Sequence, residues 1–159
     1  MALQVRNALN SDLPILSNIE KLAKVEAWDL PDFEAAQRRS GTYITVVEYS
    51  GGLAGYAVFE LHNKWLQLIN IAVHPEYRYL YVGRTLIEDL IRRLEGRLRI
   101  TALVRDSNLG AHLFFQRCGF ISVAVLRNHF EDPQEDAYEF EFDRRKQQLP
   151  KVARVRKRR

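Results

Sequence analysis

Three groups of residues in this chain have the types and spacing for chemistry. Asn108, His112 and Phe115 stand four and three residues apart, an interval that places side chains on one face of a helix. His112 is the member of that face able to gain and lose a proton near neutral pH; a packed histidine without a chemical role is the alternative. Glu60 and His62 close one apolar, strand-like run and together could take up a proton through water. Arg78 and Arg84 flank the turn into a helix that begins near Val82. A helix N-terminus presents unpaired N–H groups and a partial positive charge, so such a turn suits a pyrophosphate. Two ordinary surface cations are the plainer reading of the same arginines. His74 precedes Pro75 and reads as part of a strand-ending turn. Cys118 is the single cysteine, which excludes an intramolecular disulfide and a cysteine zinc cage. It stands before a helix-ending glycine and reads as a packed thiol, and no metal site is expected.

The elements that must position these groups follow from periodicity. Residues 3–8 read as a first strand. Ser11 and Asp12 signal a helix start, with Pro14 in the first turn, where its missing N–H costs nothing. Leu13, Leu16, Ile19, Leu22 and Ala23 form that helix's apolar stripe. A second helix is predicted over 31–39. Residues 42–49 are rich in β-branched and aromatic side chains, and Ser50-Gly51-Gly52 turns them into a strand over 53–61. A further turn at 62–64 leads to a strand over 65–73. The period then lengthens: Val82, Leu86, Ile87, Leu90, Ile91 and Leu94 mark an amphipathic helix ended by Gly96. Residues 98–104 alternate as a strand. Asp106-Ser107-Asn108 can cap a helix running to Cys118, with Gly119 as its stop. Residues 123–126 and 138–142 read as a closing pair of strands around a loop containing Pro133. The order β-α-α-β-β-β-α-β-α-β-β predicts a single α/β (α+β) domain: a mixed, mostly antiparallel sheet of about seven strands, with helices on both faces.

The length of 159 residues suffices for one hydrophobic core, and 47% hydrophobic with 28% charged residues is a globular composition. No apolar run approaches the roughly 20 residues that span a bilayer. The N-terminus lacks the basic start and apolar run of a signal peptide, so a cytoplasmic protein is expected. The net charge of +4 conceals a split: nine of the 24 cations and none of the 20 acids lie in residues 144–159, which leaves the first 143 residues at −5. The chain is therefore read as a domain over 1–143 and a basic tail over 144–159, frayed or weakly helical beyond Gln148. Such a tail suits contact with RNA, a ribosome or an acidic membrane surface, or serves as a solvated solubilising segment.

The signature stretches are Gly55-Tyr56-Ala57-Val58, the run from Asn70-Ile71-Ala72-Val73 through His74-Pro75-Glu76-Tyr77-Arg78, then Val104-Arg105-Asp106-Ser107-Asn108 and Cys118-Gly119-Phe120. With Arg127-Asn128 and Asp136-Ala137, they make residues 3–143 resemble the GNAT superfamily, and within it the bacterial N-terminal acetyltransferases that modify ribosomal proteins. The resemblance implies transfer of an acetyl group from acetyl-CoA, as cosubstrate, to a primary amine such as a protein N-terminus. It implies that Ile71, Ala72 and Val73 pair with the pantetheine arm. Arg78, Tyr79, Leu80, Tyr81, Val82, Gly83 and Arg84 would surround the pyrophosphate, and Asn108 and Phe115 would also contact the cofactor. The acids Asp12, Glu20, Glu26, Asp29, Asp32 and Glu34, with Glu131, Asp132, Glu135 and Asp136, would then crowd the acceptor side and favour a cationic amine or basic peptide, although singly most read as solvated. Trp28, Phe33 and Phe130 read as core or rim.

Four positions depart from the resemblance. Tyr81 replaces the first glycine of the phosphate turn and Tyr79 another; their rings either point outward or occlude the site. Leu103 stands where the subgroup's glutamate base is found and Phe115 where its tyrosine acid is found, and neither side chain moves a proton. His112 and Glu60 are the expected substitutes. A non-catalytic acyl-CoA-binding module and a ribosome- or RNA-associated factor acting through the tail are the rival readings, and the oligomeric state is open.

Overall fold

Thr42–Tyr49 (β2), Gly52–Leu61 (β3) and Trp65–Val73 (β4) carry the β-branched and aromatic residues that suit a pleated, half-buried surface. In the computed structural model, which describes residues 2–131 and 133–147, they form the middle of a seven-stranded sheet. Gln4–Asn7 (β1), Arg99–Arg105 (β5), Ile121–Glu131 (β6) and Gln134–Asp143 (β7) complete it in the order β1-β2-β3-β4-β5-β7-β6. Only β4 and β5 run parallel; every other neighbouring pair is antiparallel. The parallel pair needs a crossover, which α3 (Val82–Arg93) supplies. This is the mixed, mostly antiparallel architecture predicted from the periodicities.

Helices cover both faces because the buried strands are apolar on both sides. On one face α1 (Leu13–Ala23) and α2 (Leu30–Arg38) bring Leu13, Leu16, Ile19 and Phe33 against Ile44, Val46, Tyr56 and Val58. On the other, α3 brings Leu86, Ile87 and Leu90, and α4 (Leu109–Arg117) brings Phe115, against Phe59, Leu66, Ile100, Ala102 and Phe140. Leu22 leaves the predicted α1 stripe and is 59% exposed. Glu20 is buried in its stead, because that side of α1 meets a polar group on β4.

The closing hairpin is longer than the sequence suggested. Asn128 takes a positive φ of 53° at a register shift between Leu126 and Phe130, a bulge that lets β6 resume pairing. Asp136 holds it by accepting from Asn128 N at 2.8 Å and from Arg127 at 2.8 Å. After β7, the short helix α5 (Arg144–Gln147) is bonded to the domain. Arg144 donates to the carbonyls of Glu95 at 2.6 Å and Ile91 at 3.3 Å, and Gln147 donates to that of Gly119 at 3.2 Å. The predicted fraying beyond Gln148 lies outside the described residues, as does Asp132. Among the described residues no helix is long and apolar enough to cross a membrane.

One irregularity opens the sheet. β4 and β5 pair only from Trp65 to Leu68 and from Arg99 to Ala102. Beyond that, β4 continues with β3 as far as Val73, and β5 with β7 as far as Arg105. A bulge between Val58 and Phe59 shifts the β3–β4 register, and bulges bend and twist the strand they interrupt. Gly55 allows the departing end of β4 to stay close, since a Cβ there would stand 2.8 Å from the Ala72 carbonyl oxygen.

Candidate active site

The parted strands leave the β5-facing backbone of Ile71, Ala72 and Val73 without a strand partner, and the opening widens into a cleft of about 920 Å³. Its walls include Ile71, Ala72 and Val73 from β4, Arg78 to Arg84 apart from Leu80 in the following turn and α3, and Asn108 and Phe115 at α4. A strand edge of this kind offers alternating N–H and C=O groups to an extended ligand.

At one end of the cleft stands the N-terminus of α3. Tyr81 is its N-cap residue, and no side chain caps the helix, so its first N–H groups are open to an anion. Tyr79 and Tyr81 both adopt left-handed backbone, with φ of 64° and 62°. That is the conformation for which glycine is favoured. The two residues are 97% and 72% exposed and line the cleft, so neither ring is packed into the interior. Gly83 has a packing reason as well: a Cβ there would lie 2.9 Å from the Phe114 ring, and its absence seats α3 against α4. Arg78 lines the cleft and makes no ion pair among the described residues. Arg84 is held 3.8 Å from Glu88.

Asn108 caps α4, its Oδ1 accepting from Ala111 N at 3.1 Å. Phe115 is core, its ring 5.1 Å from Phe120 and 5.8 Å from Phe140, so a hydrocarbon edge faces the cleft where a phenol would carry a proton. Burial raises the thiol of Cys118 above its usual range, which makes it a poor nucleophile.

The structure does not bring His112 to this cleft. Its ring packs 5.0 Å from Tyr138 and 5.2 Å from Phe140, and Nε2 donates to the Arg105 carbonyl at 3.0 Å. The shared helical face is wide enough for Phe115 to reach the cleft while His112 turns beneath β7. Glu60 is not brought there either. It stands beside Gln67 on β4 and 3.1 Å from His62, which stacks on Trp65 at 4.4 Å. Glu60 stands three residues along β3 from Ala57, the partner of Ile71, on the order of 10 Å of strand, and it does not line the cleft. Leu103 faces the opposite side of the sheet from Ala102 and Val104, in a second groove with Gln67, Thr101 and Glu139, its cross-strand neighbour.

Most of the acids expected to crowd the acceptor side hold the fold together. Asp12 pairs with Arg6 at 2.7 Å, Asp29 and Asp32 form a reciprocal cap on α2, and Glu34 lies 3.9 Å from Arg38. Arg105 joins Glu26 of the α1–α2 connection to Glu135 of β7, with its guanidinium 4.2 Å above the Phe130 ring. Glu131 remains exposed.

Sequence reasoning missed a polar cluster on the cleft wall. Lys24, just after α1, lines the cleft, pairs with Glu20 at 3.0 Å and donates to Asn70 Oδ1, while Asn70 Nδ2 donates to Glu20 Oε2 at 2.6 Å. The available signal was a glutamate among the apolar residues of α1; its partner on β4 is 50 residues away.

Comparison with known proteins agrees with this geometry. Residues 3–120 match the acetyltransferase (GNAT) family. The chain is 32% identical over 131 residues to the ribosomal protein bS18-alanine N-acetyltransferase of Escherichia coli strain K12, covering 80% of this chain and 88% of that one. The crystal structure of the Escherichia coli ribosomal-protein-S18-alanine N-acetyltransferase matches with a TM-score of 0.79 at 27% identity, over 89% of this chain and 94% of that one. A GNAT acetyltransferase from Elizabethkingia anophelis, solved with acetyl-CoA bound, shares the fold at a TM-score of 0.73 and 15% identity, over 89% and 97% of the two chains. Sequence and fold together make this chain a member of the GNAT family of acetyltransferases.

Proposed function

We propose that the chain acetylates the α-amine of a protein N-terminus, with a ribosomal protein beginning in alanine as the leading acceptor. The observation that carries the cofactor half of this reading is the parting of β4 from β5 beside an uncapped helix N-terminus. The residues present fit acetyl-CoA. The Ile71–Val73 edge would pair with the pantetheine arm, and the first N–H groups of α3, at Val82, Gly83 and Arg84, would hold the pyrophosphate with Arg78. Asn108 and Phe115 would line the path between them. Bound there, acetyl-CoA supplies an activated thioester. The acceptor half rests on the relatives' names and on the acetyl transfer of the family. The basic segment after Gln147 enters the same reading as a contact to ribosomal RNA, to be tested by salt-dependent RNA binding that is lost when residues 148–159 are removed.

The decisive experiment follows thiol release from acetyl-CoA with peptides that differ in their first residue, and locates the product acetyl group by mass spectrometry. Acetylation of the N-terminal amine of an alanine peptide, and none of the same peptide with a blocked N-terminus, is expected. Acetyl-CoA that raises the melting temperature yet transfers to no amine would support the binding-module reading instead, which the proton-inert Leu103 and Phe115 favour.

A further inference from the structure

Lys24 is unusual in where it stands. Lysine side chains are rarely drawn inward without a partner, and this one, 33% exposed, lines the cleft beside Ile71 and Ala72. Its nitrogen is fixed by Glu20 and by Asn70, and those two are joined directly. Asn70 stands next to Ile71, just past the last β4 residue that pairs with β5, whereas the open N-terminus of α3 follows the other end of that edge. On the reading proposed above, the pyrophosphate lies at the α3 end and the thioester toward Asn70. Lys24 therefore stands at the reacting end.

Two elements hold the amine: α1 contributes Glu20 and β4 contributes Asn70. Behind them β3 contributes Tyr56, fully buried beside Glu20. Burial, and then Glu20, push the Tyr56 phenol far above its usual range, so it stays neutral. Burial likewise lowers the pKa of Lys24 below its ordinary value of 10.5, against the opposing pull of Glu20. A desolvated lysine gives up its proton more readily than an exposed one.

We propose that Lys24 takes the proton from the acceptor amine before the acetyl group moves, an inference that rests on the acetyl-transfer reading of the cleft. Lys24, once it has lost its own proton to water, accepts one proton from the acceptor ammonium. The acceptor nitrogen then bonds to the thioester carbonyl carbon as the carbon–sulfur bond breaks. Its remaining surplus proton goes to the departing thiolate, leaving an amide and a thiol. Lys24 returns its proton to water. Glu20 and Asn70 act as positioning residues that hold the lysine nitrogen against the edge.

The test compares the wild type with Lys24→Met and Lys24→Arg, using acetyl-CoA and the alanine peptide. Both variants should lower kcat by about 10²-fold or more, while the melting-temperature rise caused by acetyl-CoA stays as in the wild type. Arginine keeps the charge opposite Glu20 but does not release a proton in this range, so recovery of kcat in Lys24→Arg would reduce the lysine to a structural ion pair and overturn the proposal. The wild-type rate should level off at the pH where Lys24 titrates, followed by NMR of carbon-labelled lysine in the free protein. That titration should lie below 10.5; a Lys24 that titrates with the exposed lysines overturns the proposal without reference to any acceptor. A wild type that acetylates no amine sinks both readings, whereas an active wild type with unimpaired variants sinks only this one.

Discussion

Tyr79 and Tyr81 show side chains other than glycine held in left-handed backbone at the turn before α3. Each holds a left-handed φ, 64° and 62°, which costs a residue with a Cβ on the order of 1–2 kcal/mol. Their rings stand in solvent, so little packing offsets the strain. Tyr79→Gly and Tyr81→Gly should each stabilise the fold by up to about 1 kcal/mol, after allowance for the greater freedom of glycine in the unfolded chain. Urea unfolding measures this. Acetyl-CoA affinity should change less than about threefold, because exposed rings at the cleft mouth have no packed position to leave. A tenfold gain in either variant would mean that the tyrosines do occlude the site.

At the scale of elements, the site is made by the way β4 leaves β5. Gly55 sets how close the departing end of β4 lies to β3: a methyl group there would meet the Ala72 carbonyl at 2.8 Å and Val82 Cγ1 at 3.0 Å. Backbone carbonyls do not swing aside as side chains do. Gly55→Ala should therefore push the end of β4 outward and cost about 1–3 kcal/mol, lowering the urea midpoint. The same displacement moves the Ile71–Val73 edge, so acetyl-CoA binding should weaken together with stability. Normal affinity in a destabilised Gly55→Ala protein would show that the edge does not hold the cofactor.

At the scale of the whole molecule, two ion pairs lie near the limits of the described residues: Arg6 of β1 with Asp12, and Arg145 of α5 with Asp143 at the end of β7. The hydrogen bonds from Arg145, side chain and backbone, hold the Asp143 carboxyl down at about 2, and Arg6 lowers that of Asp12. Both carboxylates have a folded pKa below the ordinary 3.8. The unfolded chain therefore binds more protons across that interval, and stability rises with pH through it. The contribution is complete above the unfolded value and disappears as pH falls from about 4 toward 2. Urea midpoints measured from pH 5 down to pH 2 should show that decline, and Asp143→Asn should make it shallower. An equal slope in the variant would leave the acid sensitivity to other groups.

The amino-acid sequence by itself determined the elements and their order, because alternation, the 3.6-residue period, caps and turn glycines are local signals. It also determined the family, through short stretches such as residues 70–78 and 104–108, and it exposed the two proton-inert positions, Leu103 and Phe115. Only the tertiary structure decided what the cleft contains. Helical spacing put His112 with Asn108 and Phe115, but packing under Tyr138 and Phe140 decided where the ring points. Strand register decided that Glu60 stands away from the free edge and that Leu103 faces Glu139. Asn70 meets Lys24 and Glu20 across 46 and 50 residues of chain, a separation at which no periodicity carries information. Side-chain direction, strand parting and long-range polar contacts are properties of the assembled sheet and its helices, and they decide which side chains share the cleft.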